Sequence, residues 1–276
     1  MIHKKIEIEI NGNNKDQNFK AELDTYLLDD LANMKVERKR PAVLILPGGG
    51  YRFTSDREAE PVAIQMNAMG FQAFVLYYSC EPATFPTALL QTAKAISVIR
   101  EHAKEWHIEE RKVVLLGFSA GGHLAASLGT FWNKEFVYEA LKIEPKRIRP
   151  DGLVLAYPVI TAWEFAHQDS FRALLGEEYE ERKELVSLEN QVGEDMMPVF
   201  LWHTFEDESV PVENSLLFAH ALRKKNIPFE LHIYQKGRHG LSLANGETNP
   251  ANEENLIVLE CQNWITMAGT WIRNLA

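Results

Sequence analysis

Runs of apolar residues, separated by longer stretches with helical spacing, are the feature of this sequence that most restricts its fold. Largely apolar runs occur at 42–46, 73–77, 113–116, 153–156, 199–202 and 229–234. Such runs are typical of strands buried on both faces of a parallel sheet. Helical spacing is found at 58–69, 86–106, 121–132, 212–225 and 254–272. The alternation predicts an α/β fold with a mostly parallel central sheet and helices on both faces.

The N-terminal segment has a different pattern. Residues 2–10 alternate apolar and charged side chains, as in a half-exposed strand, and a second strand is predicted near 25–28, after a turn at 11–14. We therefore expect an antiparallel ribbon before the main body. An exposed edge strand of this kind is compatible with a homodimer.

The length of 276 residues fits one α/β domain over 1–276, because such folds commonly exceed the average domain size. Residues 162–195 depart from the alternation, since they are polar and acidic, with helical character around 177–189. We interpret this segment as a cap-like insertion over the carboxyl edge of the sheet.

Charge and composition exclude several classes of function. The formal net charge of −10 disfavours nucleic acid and anionic membranes as partners. The sequence has neither an N-terminal signal pattern nor an apolar stretch long enough to span a bilayer, which predicts a cytoplasmic protein. The two cysteines, Cys80 and Cys261, form no Cys-x-x-Cys pair, so no metal site is expected.

The strongest local motif is Gly-Phe-Ser-Ala-Gly at 117–121, which follows an apolar run and opens a helical stretch. A serine at such a strand-to-helix turn is held in a strained conformation, and flanking glycines relieve the crowding. The hydroxyl then lies at a helix N-terminus, where developing negative charge is favoured. Ser119 is therefore the candidate nucleophile.

A serine nucleophile needs a base and an acid that orients the base, in the chain order serine, acid, histidine. His239 is the preferred base because it lies in the Gly-Arg-His-Gly segment 237–240, after the last predicted strand, and is the latest of nine histidines. His123 and His203 remain alternatives. The acid should come from the loop 204–211, where Glu206, Asp207 and Glu208 compete.

An ester carbonyl becomes an oxyanion on attack, so preorganised N–H donors are required. A Pro-Gly-Gly-Gly-Tyr segment follows the first buried run, at 47–51, where this fold builds such a site. Gly48 and Gly49 are the predicted donors, together with the N–H of Ala120. Three glycines could also bind phosphate, but the spacing of a P-loop or dinucleotide motif is absent.

With these residues in place, the chain resembles α/β-hydrolase esterases related to acetyl-xylan and feruloyl esterases. The resemblance covers most of the chain from about residue 40. It is carried by segments in the same order, which are 48–51, 55–58, 117–123, 157–160, 203–211 and the glycine-flanked His239. The family pattern His-x-x-x-Asp-x-x-Val-Pro matches 203–211 with Asp207 as the acid, and Glu206 is the alternative.

This resemblance implies a triad of Ser119, Asp207 and His239, with Gly48, Gly49 and Ala120 at the oxyanion. Three further residues would line the substrate pocket: Tyr51, Tyr157 and Pro158. Related lipases often have histidine before the triple glycine, where this chain has Pro47. Because the donors are backbone groups, we expect the oxyanion site to be retained.

The predicted function is hydrolysis of small acyl esters through an acyl-enzyme, with an acylated sugar as a candidate small-molecule substrate and without a cofactor. A serine peptidase of the prolyl-oligopeptidase type shares the serine motif and the Asp-x-x-Val-Pro pattern, but those enzymes carry a large additional domain. A catalytically silent hydrolase fold used for binding is a third hypothesis, because fold alone does not establish activity.

Overall fold

The central sheet determines where the predicted site residues lie. The computed structural model describes residues 1–10, 19–29, 38–251 and 256–276. Within these ranges the strands are β1 Ile2–Ile8, β2 Ala21–Leu27, β3 Arg40–Leu46, β4 Gln72–Tyr77, β5 Ile108–Phe118, β6 Gly152–Ala156, β7 Val199–Thr204 and β8 Phe229–Tyr234. They form one sheet in the order β1-β2-β4-β3-β5-β6-β7-β8.

Strand directions divide the sheet into two parts. β1 pairs antiparallel with β2, and β2 pairs antiparallel with β4. All pairs from β4 through β8 are parallel. The predicted mostly parallel sheet with an N-terminal antiparallel ribbon is thus confirmed.

Helices cover both faces of the sheet. Those described are α1 Glu60–Ala68, α2 Thr87–Glu101, α3 Ala120–Phe131, α4 Glu135–Leu141, α5 Pro145–Ile148, α6 Gln168–Leu175, α7 Tyr179–Arg182, α8 Glu213–Lys224 and α9 Trp264–Arg273. Side chains of α1 and α9 pack in one apolar core, and those of α2, α3 and α8 pack in the other.

The apolar run in β3 shows why these strands lack polar positions. Val43 and Ile45 belong to the core under α1 and α9, whereas Leu44 and Leu46 belong to the core under α2, α3 and α8. Alternate side chains of a strand point to opposite faces. A strand covered on both faces therefore needs an apolar residue at every position.

Several predicted boundaries differ from the structure. β5 begins at Ile108, before the apolar run at 113–116. The last helix was predicted from 254, but α9 begins at Trp264. The segment 162–195, which was predicted to be a cap-like insertion, is helical earlier than expected, in α6, although α7 falls within the predicted 177–189. The predicted turn at 11–14 and the start of the last predicted helix at 254–255 lie outside the described residues.

Within the described ranges, no helix is both long and apolar enough to cross a membrane. The same residues contain no group of three or more His, Cys, Asp or Glu side chains arranged to hold a metal ion.

Candidate active site

Ser119 lies at the turn between β5 and α3, with φ 52° and ψ −116°. A positive φ is strained for a residue with a side chain. The turn is also too crowded for side chains beside it: a Cβ on Gly117 would lie 2.2 Å from the Gly121 carbonyl oxygen, and one on Gly121 would lie 2.1 Å from that of Leu46. The glycines of the motif are therefore required sterically, as the sequence analysis expected.

The structure brings together the three residues predicted as a triad. Asp207 follows β7, and His239 follows β8. His239 Nε2 lies 2.8 Å from Ser119 Oγ, and its Nδ1 lies 2.6 Å from Asp207 Oδ2. The carboxyl ends of parallel strands meet at one edge of a sheet. This topology explains how side chains 120 positions apart along the chain come into contact.

Asp207 is buried and surrounded by donors. Its Oδ1 accepts the backbone N–H groups of Ser209 at 3.0 Å and Val210 at 2.9 Å. Burial raises the pKa of the Asp207 carboxyl, but hydrogen bonds from His203 and His239 and the charge of His239 outweigh burial and hold that pKa well below its usual value. An ionised Asp207 therefore faces Nδ1 of His239.

The alternative acid lies elsewhere on the same loop. Glu206 is exposed, and its Oε2 accepts the Gly237 N–H at 3.2 Å. Its carboxylate thus contacts the backbone two residues before His239. The geometry favours Asp207 as the partner of the histidine.

The two alternative bases contact other groups. His203 is fully buried, with Nε2 at 3.2 Å from Asp207 Oδ2 and 2.9 Å from the Val210 carbonyl oxygen, and Nδ1 at 2.8 Å from Ser215 Oγ. It is a second partner of Asp207, a role that sequence reasoning missed although the motif at 203–211 contains both residues.

His123 lies beneath the site rather than in it. Its Nε2 donates to the Val186 carbonyl oxygen and its Nδ1 accepts from the Tyr51 hydroxyl, both at 2.8 Å. Burial lowers the pKa of His123 to about 4, opposed by the Val186 hydrogen bond. His123 is therefore neutral near pH 7, and it joins α3 to the glycine loop 47–51 and to the segment 162–195.

The predicted oxyanion donors are only partly supported. The Gly48 N–H donates to Glu58 Oε2 at 2.8 Å, so the prediction of Gly48 as a donor is corrected: this amide is already satisfied. The amides of Gly49 and Ala120 have no acceptor among the described residues. These two N–H groups remain candidates for binding an oxyanion.

The predicted pocket residues lie inside the protein. Tyr51, Tyr157 and Pro158 are all buried. The hydroxyl of Tyr51 bonds to His123, and that of Tyr157 donates to Glu58 Oε1 at 2.6 Å. A buried tyrosine hydroxyl needs a partner, and these two contacts tie Tyr51 to α3 and Tyr157 to the turn Asp56–Glu58. That Tyr51, Tyr157 and Pro158 line a substrate pocket stays a prediction.

Comparison with known proteins identifies the family of this chain. The model of the BD-FAE family matches residues 23–222. The chain belongs to the BD-FAE family. It is similar to the endo-1,4-beta-xylanase B of Butyrivibrio fibrisolvens, at 41% identity over 76% of this chain and 34% of that protein. It is also similar to the acetylxylan esterase of Xylanibacter ruminicola, at 29% identity over 72% of this chain and 40% of that protein.

Among solved structures, the acetyl ester-xyloside bifunctional hydrolase of Caldicellulosiruptor lactoaceticus has a TM-score of 0.82 and 38% identity, over 98% of this chain and 95% of that one. The predicted resemblance to α/β-hydrolase esterases is thus confirmed for this BD-FAE member. The chain spans 34% and 40% of the length of the two curated relatives named above.

Proposed function

We propose that this BD-FAE protein is a serine carboxylic-ester hydrolase that acts on small acyl esters through an acyl-enzyme. The observation that carries the proposal is the continuous hydrogen-bonded chain from Ser119 Oγ through His239 to the buried Asp207, with distances of 2.8 and 2.6 Å. A serine hydroxyl is weakly nucleophilic unless a base within this range accepts its proton.

In the proposed first half-reaction, Ser119 Oγ attacks the ester carbonyl carbon while His239 Nε2 takes the hydroxyl proton. The N–H groups of Gly49 and Ala120 stabilise the resulting oxyanion. The tetrahedral intermediate collapses, its bond to the alcohol oxygen breaks, and His239 returns the proton to that oxygen. An acyl group then remains on Ser119.

In the second half-reaction, a water molecule attacks the acyl carbon and gives a proton to His239. Collapse of the new intermediate releases the carboxylic acid and restores the Ser119 hydroxyl. The ionised Asp207 fixes the tautomer of His239 and stabilises the imidazolium that forms in each step.

Acetyl groups on xylan-derived sugars are the proposed substrates. The names of the similar proteins support this choice, since they include an acetylxylan esterase and an acetyl ester-xyloside hydrolase.

Release of nitrophenol from nitrophenyl acetate by the wild type and by Ser119→Ala tests the reaction. Removing the nucleophile should lower kcat by at least about 10³-fold; equal rates would exclude Ser119. A series of acyl chain lengths and acetylated xylo-oligosaccharides then tests the substrate. Fast cleavage of a proline-containing amide without ester turnover would instead indicate a peptidase.

A further inference from the structure

Glu58 is a buried carboxylate directly behind the glycine loop. It ends the short 3-10 turn Asp56–Glu58 and is 3% exposed. Its Oε2 accepts the Gly48 N–H at 2.8 Å, and its Oε1 accepts the Tyr157 hydroxyl at 2.6 Å. Burying a carboxylate is costly unless donors compensate it. Both oxygens of Glu58 have a donor, and one of these donors belongs to the loop that carries Gly49.

Tyr157 connects the Glu58 carboxylate to the His239 loop, residues 237–242. Its hydroxyl oxygen also accepts the Ser242 N–H at 2.9 Å. Its ring packs against the His239 ring edge to face, with centroids 5.0 Å apart. Tyr157 therefore links Glu58 to the ring of His239.

Arg57, the preceding residue, holds the same loop from the other side. Its Nη2 donates to the Gly240 carbonyl oxygen at 2.7 Å, and its Nε donates to that of Thr248 at 2.6 Å. The Ser242 hydroxyl in turn donates to the Arg57 carbonyl oxygen at 2.7 Å. Two consecutive side chains therefore reach the two loops that must meet at Ser119.

We propose that Arg57 and Glu58 form one positioning unit. This unit fixes the glycine loop 47–51 and the His239 loop 237–242 relative to Ser119 at the same time. This inference rests on the proposed ester hydrolysis. It assigns Glu58 to the oxyanion side of the site, through Gly48, and Arg57 to the histidine side, through Gly240. Neither side chain is given a direct contact with substrate.

Close packing restricts movement of the Gly48 backbone. A Cβ on Gly48 would lie 2.8 Å from Glu58 Oε2 and 3.1 Å from the Ser119 Cβ, so Gly48 is packed closely against both the carboxylate and the serine. The hydrogen bond to Glu58 fixes the Gly48 amide, and Gly49 is the next residue. Small displacements of a catalytic donor lower the rate strongly but leave substrate binding nearly unchanged.

Glu58→Gln tests the oxyanion side, because it retains one acceptor oxygen and nearly the same volume while losing the charge. We expect kcat for nitrophenyl acetate to fall roughly 10- to 100-fold with KM within about threefold of the wild-type value. Affinity for a trifluoromethyl ketone, which forms a tetrahedral adduct with an active serine, should fall by the same factor as kcat/KM.

Asp151→Asn is the matched control. Asp151 Oδ2 also accepts a backbone amide, that of Val113 at 2.9 Å, but at the amino end of β6. This variant should retain kcat and affinity for the trifluoromethyl ketone. Arg57→Met tests the contact with Gly240, and Tyr157→Phe tests the contacts with Glu58 and Ser242. Both variants should lower kcat by about 10-fold. They take the place of Glu58→Gln if circular dichroism finds that variant unfolded.

The proposal is overturned if the folded variants keep kcat within about twofold of the wild type. It is equally overturned if active-site titration attributes the whole loss to fewer active molecules with unchanged turnover, since that is a purely structural effect. Failure of the proposed function is a separate result, because the wild type itself would then show no ester turnover that depends on Ser119.

Discussion

The two ends of the parallel sheet use the same interaction for different purposes. At the amino end, Asp151 accepts the Val113 amide and the Arg100 guanidinium, the latter at 2.8 Å. At the carboxyl end, Asp207 accepts the Val210 amide and faces His239. The first set of bonds joins structural elements to one another, whereas the second extends to the hydroxyl of Ser119.

Buried polar contacts alone therefore do not identify a site. Both carboxylates are satisfied by backbone and cationic or imidazole donors. The carboxyl end differs because its hydrogen bonds reach Ser119, which has a strained backbone. Beside Ser119, the N–H groups of Gly49 and Ala120 have no acceptor among the described residues. A serine hydroxyl within reach of a base and of N–H groups without an acceptor is the better indicator of a catalytic site.

The largest effect expected from this comparison is that of Asp207→Asn. A neutral amide cannot stabilise the imidazolium and can hold His239 in the wrong tautomer, so kcat should fall roughly 10³- to 10⁴-fold. Steady-state kinetics with nitrophenyl acetate measure this loss. Glu206→Gln is the control on the same loop and should change kcat by less than about twofold. An equal loss in both variants would contradict the assignment of the acid.

His123 provides an intermediate case, because it lies beneath the carboxyl end but its hydrogen bonds are satisfied within the protein. Burial lowers its pKa to about 4, against 6.5 ordinarily. Between these values the unfolded chain binds a proton that the folded state does not, so stability decreases as pH falls. This single group should lower the free energy of unfolding by about 2 kcal/mol from pH 7 to pH 5.

Urea unfolding of the wild type and His123→Gln at both pH values measures this contribution. The variant should be less stable than the wild type at pH 7. From pH 7 to pH 5, its free energy of unfolding should fall by about 2 kcal/mol less than that of the wild type. His167, whose pKa burial also lowers, is present in both proteins and cancels in the difference. Identical pH dependence in the two proteins would exclude His123 as the source.

The smallest expected effect belongs to the amino end. Asp151→Asn removes the charge that faces Arg100 while keeping an acceptor for Val113. The free energy of unfolding should fall by about 1 to 2 kcal/mol, and kcat should stay within about twofold of the wild type. Urea unfolding and ester kinetics on one preparation check both statements. A large loss of kcat without loss of stability would show that the two ends are coupled.

Much of the fold could be predicted because the parallel strands are covered on both faces, so the apolar run in β3 marks its position directly. Local signals mark β5 and β2 less well. β5 extends through the polar residues Glu109 and Glu110 before its apolar part, and β2 carries the buried polar residues Asp24 and Thr25. Pairing with neighbouring strands determines such segments, and pairing is not visible in a local pattern.

The candidate site divides in the same way. Ser119 and His239 could be predicted because glycines with special backbone requirements surround each of them. The direction of the Gly48 N–H could not, since it depends on Glu58, ten residues later and folded back against the loop. The hydrogen-bond partners of Tyr51 and Tyr157 could not be predicted either, since His123 and Glu58 lie far from them along the chain.

Covalent labelling shows whether His239 activates Ser119. A fluorophosphonate reacts with an activated serine hydroxyl, and intact mass followed by peptide mapping identifies the modified residue. The wild type should gain one label, on Ser119, and His239→Ala should react at least about 100-fold more slowly. An unlabelled wild type, or equal labelling of both proteins, would exclude activation of Ser119 by His239.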